Sequence, residues 1–151
     1  MAAILFLQKK IMPMLKLNLL HPDILQALGS NGHGAKILIS DGNFPVSTKT
    51  AATCKKVFLN LAPGMLSVTD ILGVIKEFIP VEKYMIMVAP DDSEHPIHRE
   101  FARLLGENTT CQKLKREAFY QEASTDDVCL AIASAETRRF GNILLVIGVV
   151  A

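Results

Sequence analysis

The sequence predicts an α/β domain: a three-layer, Rossmann-like arrangement in which helices cover a central, mostly parallel sheet of about six strands. Three observations carry that expectation. Short apolar runs of strand length alternate with segments of helical spacing along the chain, the pattern of α/β folds. Several runs are apolar at successive positions, as strands buried on both faces require. With 151 residues, 50% of them apolar and 21% charged, the chain can build one good core and is short for two.

The elements follow in order. Residues 1–13, "MAAILFLQKKIMP", superficially look like a signal sequence. Lys9 and Lys10 follow the apolar stretch instead of preceding it, and that stretch is too short to cross a bilayer. These residues read as an N-terminal extension: an extra strand, a lead-in without fixed structure, or an upstream start with Met14 as the alternative beginning. A single domain is expected over 14–151.

The first helix is expected over "HPDILQALGS" (21–30), with Pro22 suited to the first helical position and Asp23 complementing the dipole; Gly29 or Gly32 would end it in a left-handed conformation. Strands follow at "KILIS" (36–40) and "VFLNL" (57–61). The second helix, "SVTDILGVIKEFI", opens on the capping-box-like pair Ser67 and Asp70 and turns Ile71, Ile75 and Phe78 to one side. After the strand "YMIMVA" (84–89) comes "SEHPIHREFARLLGE", with Ile97, Phe101, Leu104 and Leu105 as its buried stripe. The remaining expectations are a strand "CQKLKRE" (111–117), a helical turn "AFYQEA", and the strands "VCLAIAS" (128–134) and "NILLVIGV" (142–149).

Composition narrows the function classes. Sixteen basic residues against fifteen acidic ones leave a net charge of +1, and no basic block is interleaved with aromatics, so nucleic acid is not an expected partner. No run reaches the roughly 18 uncharged apolar residues of a membrane span. Cys54, Cys111 and Cys129 are odd in number and lack C-x-x-C spacing, which suits unpaired thiols in a reducing cytoplasm.

One stretch raises a chemical question. "GSNGHGAKILISDGNFP" (29–45) sets several glycines around His33, then an apolar run, then Asp41. A phosphate loop needs the order strand, glycine turn, helix, so that the helix N-terminus faces the anion. Here the order is helix, turn, strand. The turn meets a helix C-terminus, whose carbonyls repel phosphate, and G-x-x-x-x-G-K-(S/T) is absent. Asp41, by contrast, stands at the C-terminal end of a strand, where open α/β sheets bind ligands. His33 leads into the other end of that strand. The two can share a site if the loop folds back or if a second subunit supplies one of them; otherwise His33 is an exposed turn histidine.

The segment "GHGAKILISDGNFP" closely resembles the G-H-x-D-x-(I/L)-x-x-x-D-(A/G)-x-(F/L)-P signature of the RbsD/FucU family, the D-ribose pyranases and L-fucose mutarotases. "REAFYQEA" (116–123) resembles the R-x-x-F-Y-x-x-A segment of the fucose branch, and "FGNILLVIGV" the family's terminal strand. The resemblance spans residue 14 to the end. It implies exchange between anomers or ring forms of a free monosaccharide, L-fucose foremost, without cofactor or metal. It also implies a ring-shaped homo-oligomer, a decamer of stacked pentamers, with each site shared between subunits.

Residue by residue, His33 matches the catalytic histidine, Tyr120 the catalytic tyrosine and Asp41 the site aspartate. Arg116 and Asn142 match sugar-binding positions. Phe140 stands in the sugar-binding segment where many members carry tyrosine, Ala35 replaces an acidic residue, and Lys36 replaces an acidic or polar one. These departures bear on sugar identity more than on reaction type. A non-catalytic sugar-binding or regulatory ring is the alternative that Phe140 raises.

The residue types suit the chemistry. Anomer exchange needs one base at the anomeric hydroxyl and one acid at the ring oxygen, with roles that can swap. A histidine suits both roles near neutrality, Tyr120 offers a phenolic partner, and Asp41, Arg116 and Asn142 can hold hydroxyls. Elsewhere, His95 and His98 read as solvated helix residues rather than a metal pair, because no third ligand accompanies them. "ETRR" (136–139) reads as a charged turn at a subunit contact or the solvated surface.

Overall fold

The computed structural model describes residues 15–151; the expectations for residues 1–13 and Met14 lie outside that range. Among the described residues six strands form one sheet: β1 (Lys36–Ser40), β2 (Lys55–Phe58), β3 (Val81–Met87), β4 (Thr110–Leu114), β5 (Val128–Ala133) and β6 (Ile143–Ile147). Four helices accompany them: α1 (Pro22–Ser30), α2 (Val68–Ile75), α3 (Pro96–Leu105) and α4 (Arg116–Ala123). The α/β class and the six strands expected from the sequence are present.

The strand order is β2-β5-β1-β6-β3-β4. Five strands run one way, and β6 runs against both its neighbours, β1 and β3. Its direction follows from its connection. A parallel neighbour needs a crossover of about a dozen residues or more, usually a helix, whereas residues 134–142 only pass over the end of β1. The start of β6 therefore lies beside the C-terminal ends of β1 and β3, and its end beside their starts.

Both faces of β1 are buried. Ile37 and Ile39 join the core beneath α1, α2 and α3, while Leu38 joins the opposite core with Phe119 and Ala123 of α4 and with Phe44, Val46 and Cys54. The three layers are thus unequal: three helices on one side, one helix and the irregular segment around residues 44–54 on the other.

Several boundaries differ from expectation. The chain leaves the sheet at Leu114 and Lys115 is extended (φ −68°, ψ 162°), so Arg116 opens α4 instead of closing a strand. β2 starts at Lys55 and ends at Phe58, β3 starts at Val81, and β6 is shorter at both ends. α2 stops at Ile75, before Phe78; its N-terminus keeps the expected box, with Ser67 Oγ accepting from Asp70 N at 3.1 Å and Asp70 Oδ2 accepting from Ser67 N at 3.0 Å. α1 runs through Gly29 and ends at Asn31, which is extended (φ −125°); neither expected glycine serves as a left-handed cap. On α3, Ile97 and Phe101 are buried, while Leu104 and Leu105 are only half-buried.

Candidate active site

Asp41 follows the last residue of β1 and Asn142 precedes the first of β6, so the antiparallel pairing brings them together. Asn142 Oδ1 accepts from Asp41 N at 2.8 Å, and Asn142 Nδ2 donates to Asp41 Oδ2 at 3.1 Å. The other carboxylate oxygen accepts from Asn43 N at 3.0 Å. Burial pushes the Asp41 carboxyl above its ordinary value, against the pull of backbone N–H groups of Asn43, Gly141 and Phe44 and of the Asn142 side chain. Gly42 fits closely beside it: a Cβ there would stand 3.1 Å from the Glu136 carbonyl oxygen, the atom to which Gly42 N donates.

These groups form the floor of a cavity of about 330 Å³ lined by Asp41, Arg116, Tyr120, Phe140 and Asn142, with Asn43, Phe44, Met87 and Arg139. α4 supplies one wall. Phe119, fully buried, anchors it, and Tyr120 one position on turns towards the opening, its ring edge-on to Phe44 at 5.4 Å and 82°. Lys36 Nζ, 2.9 Å from Glu122 Oε2, ties the same helix to β1. Among the described residues no carboxylate lies within 4.0 Å of Arg116 or Arg139. Both guanidinium groups are open to a ligand.

The connection from β5 to β6 forms the remaining wall. Glu136 is buried, and its carboxylate accepts from Arg138 Nε at 2.9 Å, from a second Arg138 nitrogen at 3.0 Å and from Val68 N at 3.3 Å. Burial opposes its ionisation, but the Arg138 fork outweighs that and holds the carboxyl below its ordinary value. Arg138 also reaches Glu100 Oε2 at 2.6 Å. The charged turn expected at the surface is therefore partly internal: Glu136 and Arg138 brace α2 and α3, and Arg139 faces the cavity. The sequence reading missed Arg139, Asn43, Phe44 and Met87 as lining residues. Position offers the missing signal, since Asn43 and Phe44 follow Asp41 directly and Arg139 precedes Phe140.

His33 is elsewhere. Ala35 N donates to Gly32 O at 3.1 Å, closing a turn in which Gly34 has φ +86° and His33 occupies the corner; that turn type needs glycine in its third position. Gly34 N donates to Ile147 O and Ile147 N to Ala35 O, both at 2.9 Å, so the end of β6 fixes the turn. His33 is exposed, with Nε2 3.0 Å from Glu82 Oε2. A Cβ at Gly148 would stand 3.2 Å from Glu82 Cβ, so glycine lets Glu82 approach. All of β1 separates this pair from Asp41, roughly 17 Å at about 3.3 Å per residue. The single chain gathers Asp41, Arg116, Tyr120, Phe140 and Asn142, and leaves His33 at the opposite end of the sheet.

His95 and His98 need correction. His98 is buried, not solvated, and both ring nitrogens have partners within the protein, His95 N and Phe140 O.

An α/β domain with a sugar-sized polar cavity outside the C-terminal ends of its strands belongs to the class that binds small polar ligands there. The particular family is defined by comparison: the chain belongs to the RbsD / FucU transport protein family, whose model matches residues 14–150. Fucose mutarotase of Mus musculus is 29% identical over 139 residues, covering 83% of this chain and 87% of that protein. Fucose mutarotase of Homo sapiens is 28% identical and covers 88% of this chain and 91% of that protein. The structure of Bacillus subtilis RbsD complexed with D-ribose superposes with a TM-score of 0.79 at 25% identity, covering 91% of this chain and all of that one. No helix among the described residues is long and apolar enough to cross a membrane.

Proposed function

We propose that this protein is a mutarotase of free monosaccharides, L-fucose foremost, working by acid–base opening and closing of the sugar ring. The observation that carries the reading is the convergence of Asp41, Arg116, Tyr120 and Asn142 on one cavity of about 330 Å³. Its affiliation with a family whose relatives include fucose mutarotases supports the same reading.

In the proposed mechanism a base takes the proton of the anomeric hydroxyl as an acid protonates the ring oxygen. The C1–O5 bond breaks, its electron pair goes to the ring oxygen, and an open-chain aldehyde results. Rotation about C1–C2 and closure on the other carbonyl face return both protons and give the other anomer. His33 and Tyr120 are the exchanging pair, each contributing within the roughly 10²- to 10⁴-fold range of positioned acid–base groups. Asp41 and Asn142 hold hydroxyls, Arg116 favours developing negative charge, and Phe140 offers a sugar-facing ring.

His33 must then come from a second copy. The two ends of the sheet carry exposed apolar residues: Leu61, Met65 and Leu66 near the cavity end, and Val149 and Val150 beyond β6 near the His33 end. Patches of this kind mark contact surfaces. Joining one end of a subunit to the other end of the next is a heterologous contact, the type that makes a ring when its rotation closes. That arrangement is compatible with the ring-shaped oligomer that the resemblance implies; the decamer of two pentamers, the cytoplasmic setting and cofactor-free catalysis rest on the resemblance alone.

NMR exchange spectroscopy on equilibrated L-fucose, D-ribose and galactose tests the reading. Added protein is expected to accelerate interconversion of fucose anomers most; equal exchange with and without protein for every sugar would rule out the enzyme. A sugar-binding ring without catalysis is the second reading. Phe140, lacking a hydroxyl that could relay a proton, favours it, and sugar binding without exchange is its signature.

A further inference from the structure

Behind the cavity stands a histidine that the mechanism does not use. His98, on α3, is 5% exposed. Its Nε2 lies 3.0 Å from the Phe140 carbonyl oxygen and its Nδ1 3.2 Å from His95 N. A backbone N–H can only donate, so Nδ1 accepts; Nε2 then carries the proton and donates to Phe140 O. Burial holds His98 below its ordinary value, against the pull of that carbonyl and with a smaller push from His95, which favours the neutral ring this pairing needs.

Phe140 is a residue worth holding. Its φ is +57°, a region seldom occupied by side chains other than glycine, asparagine or aspartate. Its ring lines the cavity and packs on His95 at 4.9 Å and 39°. Two residues on, Asn142 pairs with Asp41 in both directions, its Oδ1 accepting from Asp41 N at 2.8 Å and its Nδ2 donating to Asp41 Oδ2 at 3.1 Å. A Cβ at Gly141 would stand 3.1 Å from Arg138 O, Glu136 Cγ and Ile97 Cδ1, so glycine lets the backbone pass close to these neighbours.

We propose that His98 is a positioning residue for the sugar pocket: through its Nε2–H bond to the Phe140 carbonyl it holds the left-handed Phe140, and with it the Asn142 brace on Asp41. The inference rests on the sugar-site reading of the cavity for its ligand, but not for its geometry.

Two variants separate positioning from bulk stability. His98→Asn keeps a short acceptor for His95 N–H and cannot reach Phe140; His98→Gln places an amide N–H where Nε2 was. In the sugar-free protein, His98→Asn should lower hydrogen-exchange protection of the Asp41 amide, which donates to Asn142 Oδ1, about fivefold or more, with His98→Gln restoring it. L-Fucose affinity, read by NMR titration, should weaken by a similar factor while the exchange rate at saturating sugar stays within about twofold. Unaltered protection in folded His98→Asn overturns the inference, as does a saturating rate that falls while affinity holds, or failure of His98→Gln to restore the Asp41 amide. Wild-type protein that binds fucose without exchanging it would sink the mutarotase reading alone, and wild-type protein that binds no sugar leaves amide protection to decide. Should His98→Asn not fold, 15N NMR of the unaltered protein decides: the Nε2–H tautomer supports the assignment and the Nδ1–H tautomer overturns it.

Discussion

Asp41 is buried yet fully engaged. Asn43 N and Asn142 Nδ2 donate to its two oxygens, so an amide in its place would set one N–H group against another donor. Asp41→Asn should therefore destabilise the protein by about 1–3 kcal/mol and abolish exchange, read by thermal unfolding and NMR. Its pH dependence has two opposite signs. The folded value is raised by burial, so between the free and folded values the folded chain binds more protons than the unfolded one. The group's contribution to stability is complete below the free value and is lost as pH rises through the folded one. Activity, for which the proposed mechanism uses the carboxylate as acceptor, should rise through that same window. An acid limb no higher than an ordinary aspartate would contradict the burial argument.

At the scale of elements, the strand β6 and the connection before it decide where the site falls. Glu136 links that connection to α2 through Val68 N and, by way of Arg138, to α3 through Glu100. Glu136→Gln exchanges a charged acceptor for an amide that cannot take both arms of the Arg138 fork. It should cost about 2 kcal/mol, within the range for hydrogen bonds to charged groups, and measurably weaken sugar binding at Phe140 and Asn142. Since Glu136 is held below its ordinary value, its contribution is present above the free value and fades as pH falls through the folded one; urea midpoints of the variant and the parent should converge in acid. The same elements explain what could be read from the sequence. Apolar runs located β1, β3, β5 and β6 most plainly because those strands are largely buried on both faces, a condition that hydropathy reports well. The direction of β6 was not legible, because it depends on which neighbours the strand chooses. Arg116 was misplaced for a related reason: β4 is an exposed edge strand, so hydropathy gives no mark where it ends and α4 begins. Asp41 and Asn142 were found through motifs, whereas Arg139 and the burial of Glu136 and His98 depend on contacts across the fold that no local pattern encodes.

At the scale of the whole molecule, one chain holds two incomplete halves. The cavity end presents Asp41, Arg116, Tyr120, Phe140 and Asn142, and the far end presents His33 against Glu82. The proposed function joins the far end of one copy to the cavity of the next, which makes complementation between inactive variants the direct test. His33→Ala keeps a sound cavity and lacks the histidine; Tyr120→Phe keeps the histidine and lacks the phenol. Each alone should be inactive. When the two are dissociated, mixed in equal amounts and reassembled, random pairing of heterologous contacts should leave about a quarter of the sites with both groups intact, and fucose anomer exchange should return to about a quarter of the unaltered rate. A mixture no more active than either variant alone would contradict the shared site.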